Sequence, residues 1–527
     1  MGELPLRRRA RQLVEAQQFD AACEVLELLA KEIPDNPAVR MDLAAVLLRC
    51  GRLRDSTAQL LKAADLPDMQ PELAMQIARG LVYGGEIVAA RACLDRLESR
   101  PDLPVALLAE QAHMRWNMRE IPAARRLVDR AIAAGADSPR EHHLRAMLMQ
   151  FAGELDGAAS ILDACLQRWP AFGDAALARS SLRRQTPQNH HLDFLSHQLE
   201  RLPVATDAPA ELANRAAFEA CMFKELDDLG RDEEAWQALA RCNALMHQVT
   251  PYDPDGESAL VDALIEASAS LGRRSGPDEP DAEGPQPIFI VGMPRSGTTL
   301  LDRMLSSHSQ VTSAGEITDF IRQLRCVTDV PPQGAQALLH AVERSPGADM
   351  AELGARYLAQ TRWRAQGRRY FVDKLPTNIR MVAHIRHALP HARILHMVRD
   401  PMEVCFSNFS VMFGNISPYS YDQHALAHYY GQYARLARHW RATMPDAMLE
   451  VSYADLVRTP EAALHQVLEY CGLAMEDACF HPERNDTPVA TPSNIQVREP
   501  IHARSLDRWQ RYAQHLGVLR EAMARIA

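Results

Sequence analysis

Small residues recur at a fixed interval through the opening stretch of this chain. Ala22, Ser56, Ala90, Ala124 and Ala158 each follow the last by 34 residues, and Ala10, Ala44, Ala78, Ala112 and Ala146 stand twelve positions ahead of them. Four positions after each member of the first set lies an aliphatic residue: Leu26, Leu60, Leu94, Val128 and Leu162. A period of this length accommodates one helical hairpin. Small side chains where two helices cross let the backbones approach, while the aliphatic ones need a neighbouring hairpin to cover them. Such a chain can bury its apolar stripe only by stacking unit on unit. The segments Cys50-Gly51-Arg52, Gly84-Gly85-Glu86 and Gly153-Glu154 supply turn chemistry between the paired helices.

This pattern resembles the tetratricopeptide repeat and implies an α-solenoid over residues 1–250. The register breaks after Pro170. DAALARSSLRRQ, HLDFLSHQLERL, ELANRAAFEACMFKELDDLG and EEAWQALARCNALMHQ still read as helices, expected to be divergent repeats that cap the array. Solenoids of this kind offer a face to a peptide or partner protein; the alternative is that the array forms a homodimer or shields its neighbour. Residues 251–286 change character and are expected to link two domains. Ser258 to Leu271 reads as a single helix, and GRRSGPDEPDAEGPQP, rich in Gly, Pro and acidic residues, reads as an exposed linker.

From residue 287 to 527 the pattern alternates strands and helices, as in a parallel α/β domain. Strands are expected at 288–291, near Val311, at Tyr370-Phe371-Val372, at 394–398 and at 448–451. The first, Ile288-Phe289-Ile290-Val291, is an unbroken β-branched and aromatic run of the kind buried on both faces of a parallel sheet. Gly292 to Gly297 then form a turn, and Thr298-Thr299-Leu300-Leu301 open a helix. Strand, glycine-flanked turn and helix aim backbone N–H groups and a positive dipole end at one anion. The nucleoside-triphosphate loop keeps this spacing but carries a lysine where Thr298 stands, which disfavours a kinase or ATPase. The cation lies inside the turn, at Arg295.

Four further groups fall at the expected carboxyl ends of strands, where ligands of such sheets bind: Glu316, Lys374, Arg399 and Tyr453. Ser407 lies two helical turns beyond Arg399, so a cation and a hydroxyl could clasp a second phosphate. Each has a plainer structural reading. Ser313-Ala314-Gly315-Glu316 fits a helix-capping box, Arg399 could pair with Asp400, and Lys374 could be a solvated strand end.

Residues 286–515 resemble the sulfotransferases, in particular the tyrosylprotein sulfotransferases and their bacterial relatives. PRSGTT is similar to their 5′-phosphosulfate loop, and VRDPMEVCFS to their 3′-phosphate segment. The resemblance implies 3′-phosphoadenosine 5′-phosphosulfate (PAPS) as donor, held by Pro294, Arg295, Ser296, Gly297, Thr298, Thr299, Arg399, Ser407, Tyr453 and Arg508. It implies Glu316 as catalytic base, Lys374 and Arg295 on the sulfuryl group, and Ser493 in a tail that closes over the donor. Arg508 stands where that tail ordinarily has lysine, and Glu499 adds a charge nearby. The implied acceptor is a hydroxyl, with a peptide tyrosine, a carbohydrate, a lipid and a small metabolite all open. An interaction scaffold that binds nucleotide without transfer is the competing function, and turnover of PAPS separates the two.

Composition adds exclusions. The formal net charge of −10 gives no reason to expect nucleic acid as a partner. The N-terminal segment carries arginines without an apolar run, no stretch approaches a membrane span, and the ten cysteines include no CxxC pair. A cytoplasmic protein with reduced thiols and no metal is expected. His308 and His396 are expected to be structural.

Overall fold

The computed structural model describes residues 3–526 apart from residues 68, 102, 205, 272–283, 492, 493 and 505. The acidic part of the expected linker therefore lies outside the described residues.

Five helical hairpins open the chain: α1 (Glu3–Glu15) with α2 (Phe19–Glu32), α3 (Pro37–Arg49) with α4 (Leu53–Ala64), and α5 (Pro71–Gly84) with α6 (Ile87–Glu98). They continue with α7 (Val105–Asn117) and α8 (Ile121–Ala133), then α9 (Pro139–Ala152) and α10 (Leu155–Arg168). Every small and aliphatic residue of the 34-residue pattern is buried. Ser56, the one polar member, satisfies itself by donating its hydroxyl to the Ala44 carbonyl on the paired helix, at 2.7 Å. Inserting a larger side chain at Ala124, which is fully buried, would overpack this crossing at a cost of about 1–3 kcal/mol.

The α/β unit holds a five-stranded sheet of order β2-β3-β1-β4-β5, with every neighbouring pair parallel. Its strands are β1 (Gln286–Gly292), β2 (Val311–Gly315), β3 (Tyr370–Asp373), β4 (Arg393–Val398) and β5 (Leu449–Ser452). Alternation along β1 feeds two layers. Phe289 and Val291 join Phe371, Ile394 and Trp440 on one face, while Ile288 and Ile290 join Leu301, Met304, Leu395 and Leu464 on the other. The central strand is thus covered twice, as its uninterrupted apolar run requires.

Two expectations about domain organisation are corrected. The helix expected over Ser258 to Leu271 is present as α15 (Pro254–Ser270), but it is no spacer: Leu260, Val261 and Leu264 are buried in the same core as Phe289 and Phe371. The helices α11 (Gly173–Ser181), α12 (Leu192–Arg201), α13 (Pro209–Asp228) and α14 (Asp232–Val249) occupy the four divergent segments, but they do not simply cap the array. Phe223, Leu226, Ala235 and Leu239 share one apolar cluster with Met402, Phe406, Phe409 and Tyr512 of the α/β unit. The two halves are one body of packing. Ion pairs Arg54–Glu352 (2.7 Å) and Arg356–Glu86 (2.5 Å) and the bond from Tyr512 Oη to Asp227 Oδ1 (2.6 Å) flank the seam.

Among the described residues no helix is long and apolar enough to cross a membrane. All ten cysteines are free thiols, and burial raises the thiols of Cys221 and Cys405 well above their ordinary range.

Candidate functional site

The first strand delivers the loop 293–297 to the carboxyl edge of the sheet, where α16 (Thr298–Ser306) begins. Because the loop must close into a helix within five residues, two of its members adopt left-handed backbone: Arg295 with φ 68° and Gly297, the N-cap, with φ 105°. A side chain at Gly297 would collide with the Tyr453 ring, so glycine lets that ring lie against the loop. The first N–H groups of α16 have no partner inside the helix and face this turn's concavity. Ser296 is buried and its hydroxyl has no partner. A buried polar group of this kind normally meets a partner, and a ligand oxygen would satisfy it.

Strand β4 brings the second group. Arg399 donates Nη1 to the Arg295 carbonyl at 3.1 Å and Nε to Glu403 Oε2 at 2.9 Å, with its guanidinium 4.5 Å over the Tyr453 ring. Its partner is therefore Glu403, one helical turn on, while Asp400 caps the helix Pro401–Phe409 through the Glu403 N–H. Ser407 accepts from Arg295 Nε at 3.4 Å, and Asn408 ties the loop down by donating to the Pro294 carbonyl at 2.8 Å. Arg508 approaches from the C-terminal segment with one amino group on Asp227 Oδ2, at 2.6 Å. Burial first, then Arg399 and Arg508, push the Arg295 guanidinium down to about 10. Three cations gathered at one loop create a strong demand for anionic oxygens.

A second constellation stands beside the first. Lys374 Nζ donates to Glu316 Oε1 at 2.5 Å, and its backbone N–H holds the Gly315 carbonyl at 3.0 Å. The lysine side chain is 1 % exposed and the glutamate 25 %, so the ion pair presents its carboxylate outward. Two structural readings fall here. Lys374 is no solvated strand end, and Glu316 is no capping residue. Ser313 and Gly315 belong to β2, the next helix, α17 (Asp319–Val327), begins only at Asp319, and the Ser313 hydroxyl donates to Asp302 Oδ2 at 2.9 Å. Among the site residues foreseen, Ser493 lies outside the described residues. Its neighbour Thr491 accepts from the Thr299 hydroxyl at 3.3 Å, and Asn494 accepts from Gln150 of the array.

The two histidines are structural. His308 bonds the Ala474 carbonyl and accepts the Gln310 N–H, and His396 lies between Glu450 and Tyr433.

Two charged neighbours escaped the sequence. Asp302 is buried on α16, and burial pushes its carboxyl up to about 6 against the opposing pull of Lys374. An acid inside the apolar face Leu301–Met304 was the available signal. Arg119, in the turn between α7 and α8, donates Nε to the Glu316 carbonyl at 3.2 Å. Burial lowers its guanidinium while Glu316 opposes that shift.

Parts of this chain are similar to known proteins. Residues 287–477 match the model described as the sulfotransferase family. An uncharacterized protein of Aquifex aeolicus is 25% identical over 548 residues, covering 94% of this chain and 70% of its own length. Protein-tyrosine sulfotransferase 2 of Gallus gallus is 24% identical over 245 residues. That match covers 42% of this chain and 62% of the chicken protein, so this chain accounts for less than two thirds of that relative. The sulfotransferase domain from the Synechococcus PCC 7002 olefin synthase aligns with 45% of this chain and 91% of its own at 23% identity, with a TM-score of 0.32. The sulfotransferase match lies wholly within the α/β unit, and the repeats fall outside it.

Proposed function

We propose that this protein is a PAPS-dependent sulfotransferase that moves a sulfuryl group to an acceptor hydroxyl, a peptide tyrosine being the acceptor class its relatives suggest. The observation that carries the reading is the convergence of Arg295, Arg399 and Arg508 on a loop that lacks the triphosphate lysine. The 5′-phosphosulfate rests on the N–H groups of Gly297, Thr298 and Thr299, with Pro294 and Ser296 shaping the loop. Arg399, Ser407 and Arg508 take the 3′-phosphate, and the Tyr453 ring flanks the nucleotide.

In the transfer, the acceptor oxygen bonds to sulfur as the bond from sulfur to the phosphate oxygen breaks, releasing adenosine 3′,5′-bisphosphate. The acceptor's proton passes to Glu316. Lys374 and Arg295 face the charge that spreads over the sulfuryl oxygens, the main source of acceleration where the protein does no covalent work. The Lys374–Glu316 pair holds one carboxylate oxygen and leaves the other turned toward the acceptor. Ser493 belongs to this proposal through its resemblance alone. The repeats serve to recruit a protein or peptide, acceptor or partner.

Calorimetry on the full chain tests the donor assignment. Adenosine 3′,5′-bisphosphate should bind at least about 10-fold more tightly than AMP, as one extra charge-assisted phosphate contact implies. Equal affinities would remove the 3′-phosphate site.

A further inference from the structure

We infer that Arg119 is a positioning residue for the proposed base, so that the repeat array is a built-in part of the catalytic centre as well as a recruiting surface. The inference rests on the reading of Glu316 given above.

The 34-residue register exposes it. Between the paired helices the chain turns through one residue with positive φ, at positions 17, 51, 85, 119 and 153. Such a turn favours glycine, and Gly51 (φ 78°), Gly85 (φ 86°) and Gly153 (φ 87°) provide it. Gln17 (φ 57°), in the first hairpin, is exposed. Arg119 (φ 63°), at the fourth of these turns, is an arginine in a strained conformation, and among the described residues its side chain hydrogen-bonds only the Glu316 carbonyl.

The neighbouring turns dock on the same unit. The Gly85 carbonyl accepts from Gln323 Nε2 at 2.7 Å, and Arg498 donates Nη2 to the Phe151 carbonyl at 2.7 Å while lying against Gly153. Three successive turns therefore line the α/β unit, and the central one touches the residue that bears the reactive carboxylate.

Glu316 has reason to need such a tie. It leaves β2 where the register shifts between Ser313 and Gly315, immediately after Gly315 at φ 72°. Lys374 holds its side chain and the Gly315 carbonyl. The carbonyl of Glu316 itself is held from the array. Releasing it would let the carboxylate wander relative to the acceptor oxygen, and displacements of about 1 Å cost up to about 10²-fold in rate.

Arg119→Gly separates positioning from folding, because glycine relieves the turn while removing the guanidinium. The assay is transfer from PAPS to 4-nitrophenol by the full chain, alongside hydrogen exchange of the segment 313–320. The variant should keep or raise Tm, keep the KM for PAPS, and lose about 10-fold or more in kcat. Added guanidinium at millimolar concentration should restore part of that loss, and amides around Ile317 should exchange faster. Gln17→Gly, the same change at an exposed turn, should leave kcat untouched. An unchanged kcat, or a loss confined to KM and Tm, would overturn the inference. If the wild type transfers nothing to the phenol, that choice of acceptor is what fails, and the reading of function falls only if no species in a lysate of the host takes label either. Exchange then decides alone, and unchanged protection at 313–320 would refute the tie.

Discussion

The two halves of the molecule face the same local problem and answer it differently. Between paired helices of the array, the chain must pass through left-handed backbone, and three of the five turns use glycine. In the loop after β1 the same conformation falls to Arg295, with φ 68°. A non-glycine residue in this conformation costs on the order of 1–2 kcal/mol. The array accepts that cost at two turns, with Gln17 at the exposed first turn and with Arg119 beside Glu316. Conformational ease governs the scaffold, whereas at the site a guanidinium in the right place outweighs the strain.

The largest effect is expected when the two halves are separated. Residues 281–527 alone lack α15 and expose the face of Phe406, Phe409 and Tyr512 that α13 and α14 cover. This fragment should show no cooperative thermal transition, and residues 251–527 should melt well below the full chain. A fragment 281–527 that unfolds at the full-length Tm would mean the shared core contributes nothing.

Next in size is the carboxylate. Glu316→Gln keeps an acceptor for Lys374, and Asp302 remains as a nearby counter-charge. Stability should fall little, donor affinity should hold, and kcat should drop by about 10²-fold or more, the scale of a lost general base. Turnover at the wild-type rate would place the base elsewhere. Glu316→Ala should be much less stable, since it leaves an ammonium group that is 1 % exposed without its partner.

Arg399→Ala tests the donor side of the site. Affinity for adenosine 3′,5′-bisphosphate should fall by roughly 10–100-fold, the worth of charge-assisted hydrogen bonds, while AMP changes little. A parallel loss for both nucleotides would assign Arg399 to loop architecture through its bond to the Arg295 carbonyl.

The smallest effect concerns Asp302. Its carboxyl lies at about 6 in the folded chain, above the ordinary value of about 4, because burial disfavours the charge. Between these values the folded state binds more protons than the unfolded one, so stability declines as pH rises and the deficit is complete above about 6. Asp302→Asn should flatten this slope and gain on the order of 1–3 kcal/mol at pH 8. Denaturant titrations at pH 4 and pH 8 with identical differences between variant and wild type would contradict it.

Legibility in the sequence followed the range of the interactions. The hairpins were readable because one helix crossing repeats its small residues, and the strands because β1 is apolar on both faces. The loop, Arg399 and Glu316 were readable because each lies at a strand end, a position fixed by local pattern. The role of α15 was hidden, since an amphipathic helix beside a Pro-rich segment carries no mark of what it packs against. Glu316 as a cap was a local reading that the shift in β2 defeats. Arg119 lies 197 positions from Glu316, and the one local mark it carries, a missing glycine at its place in the register, is shared with Gln17.

Sulfuryl transfer itself can be followed by labelling the donor. The full chain is incubated with sulfur-labelled PAPS and 4-nitrophenol, and with labelled PAPS and a lysate of the native host. Label should move to the phenol or to a species in the lysate, saturably in PAPS, with adenosine 3′,5′-bisphosphate inhibiting competitively against the donor. Tight binding of the bisphosphate with no label transferred in either mixture would contradict it and leave a nucleotide-binding scaffold in its place.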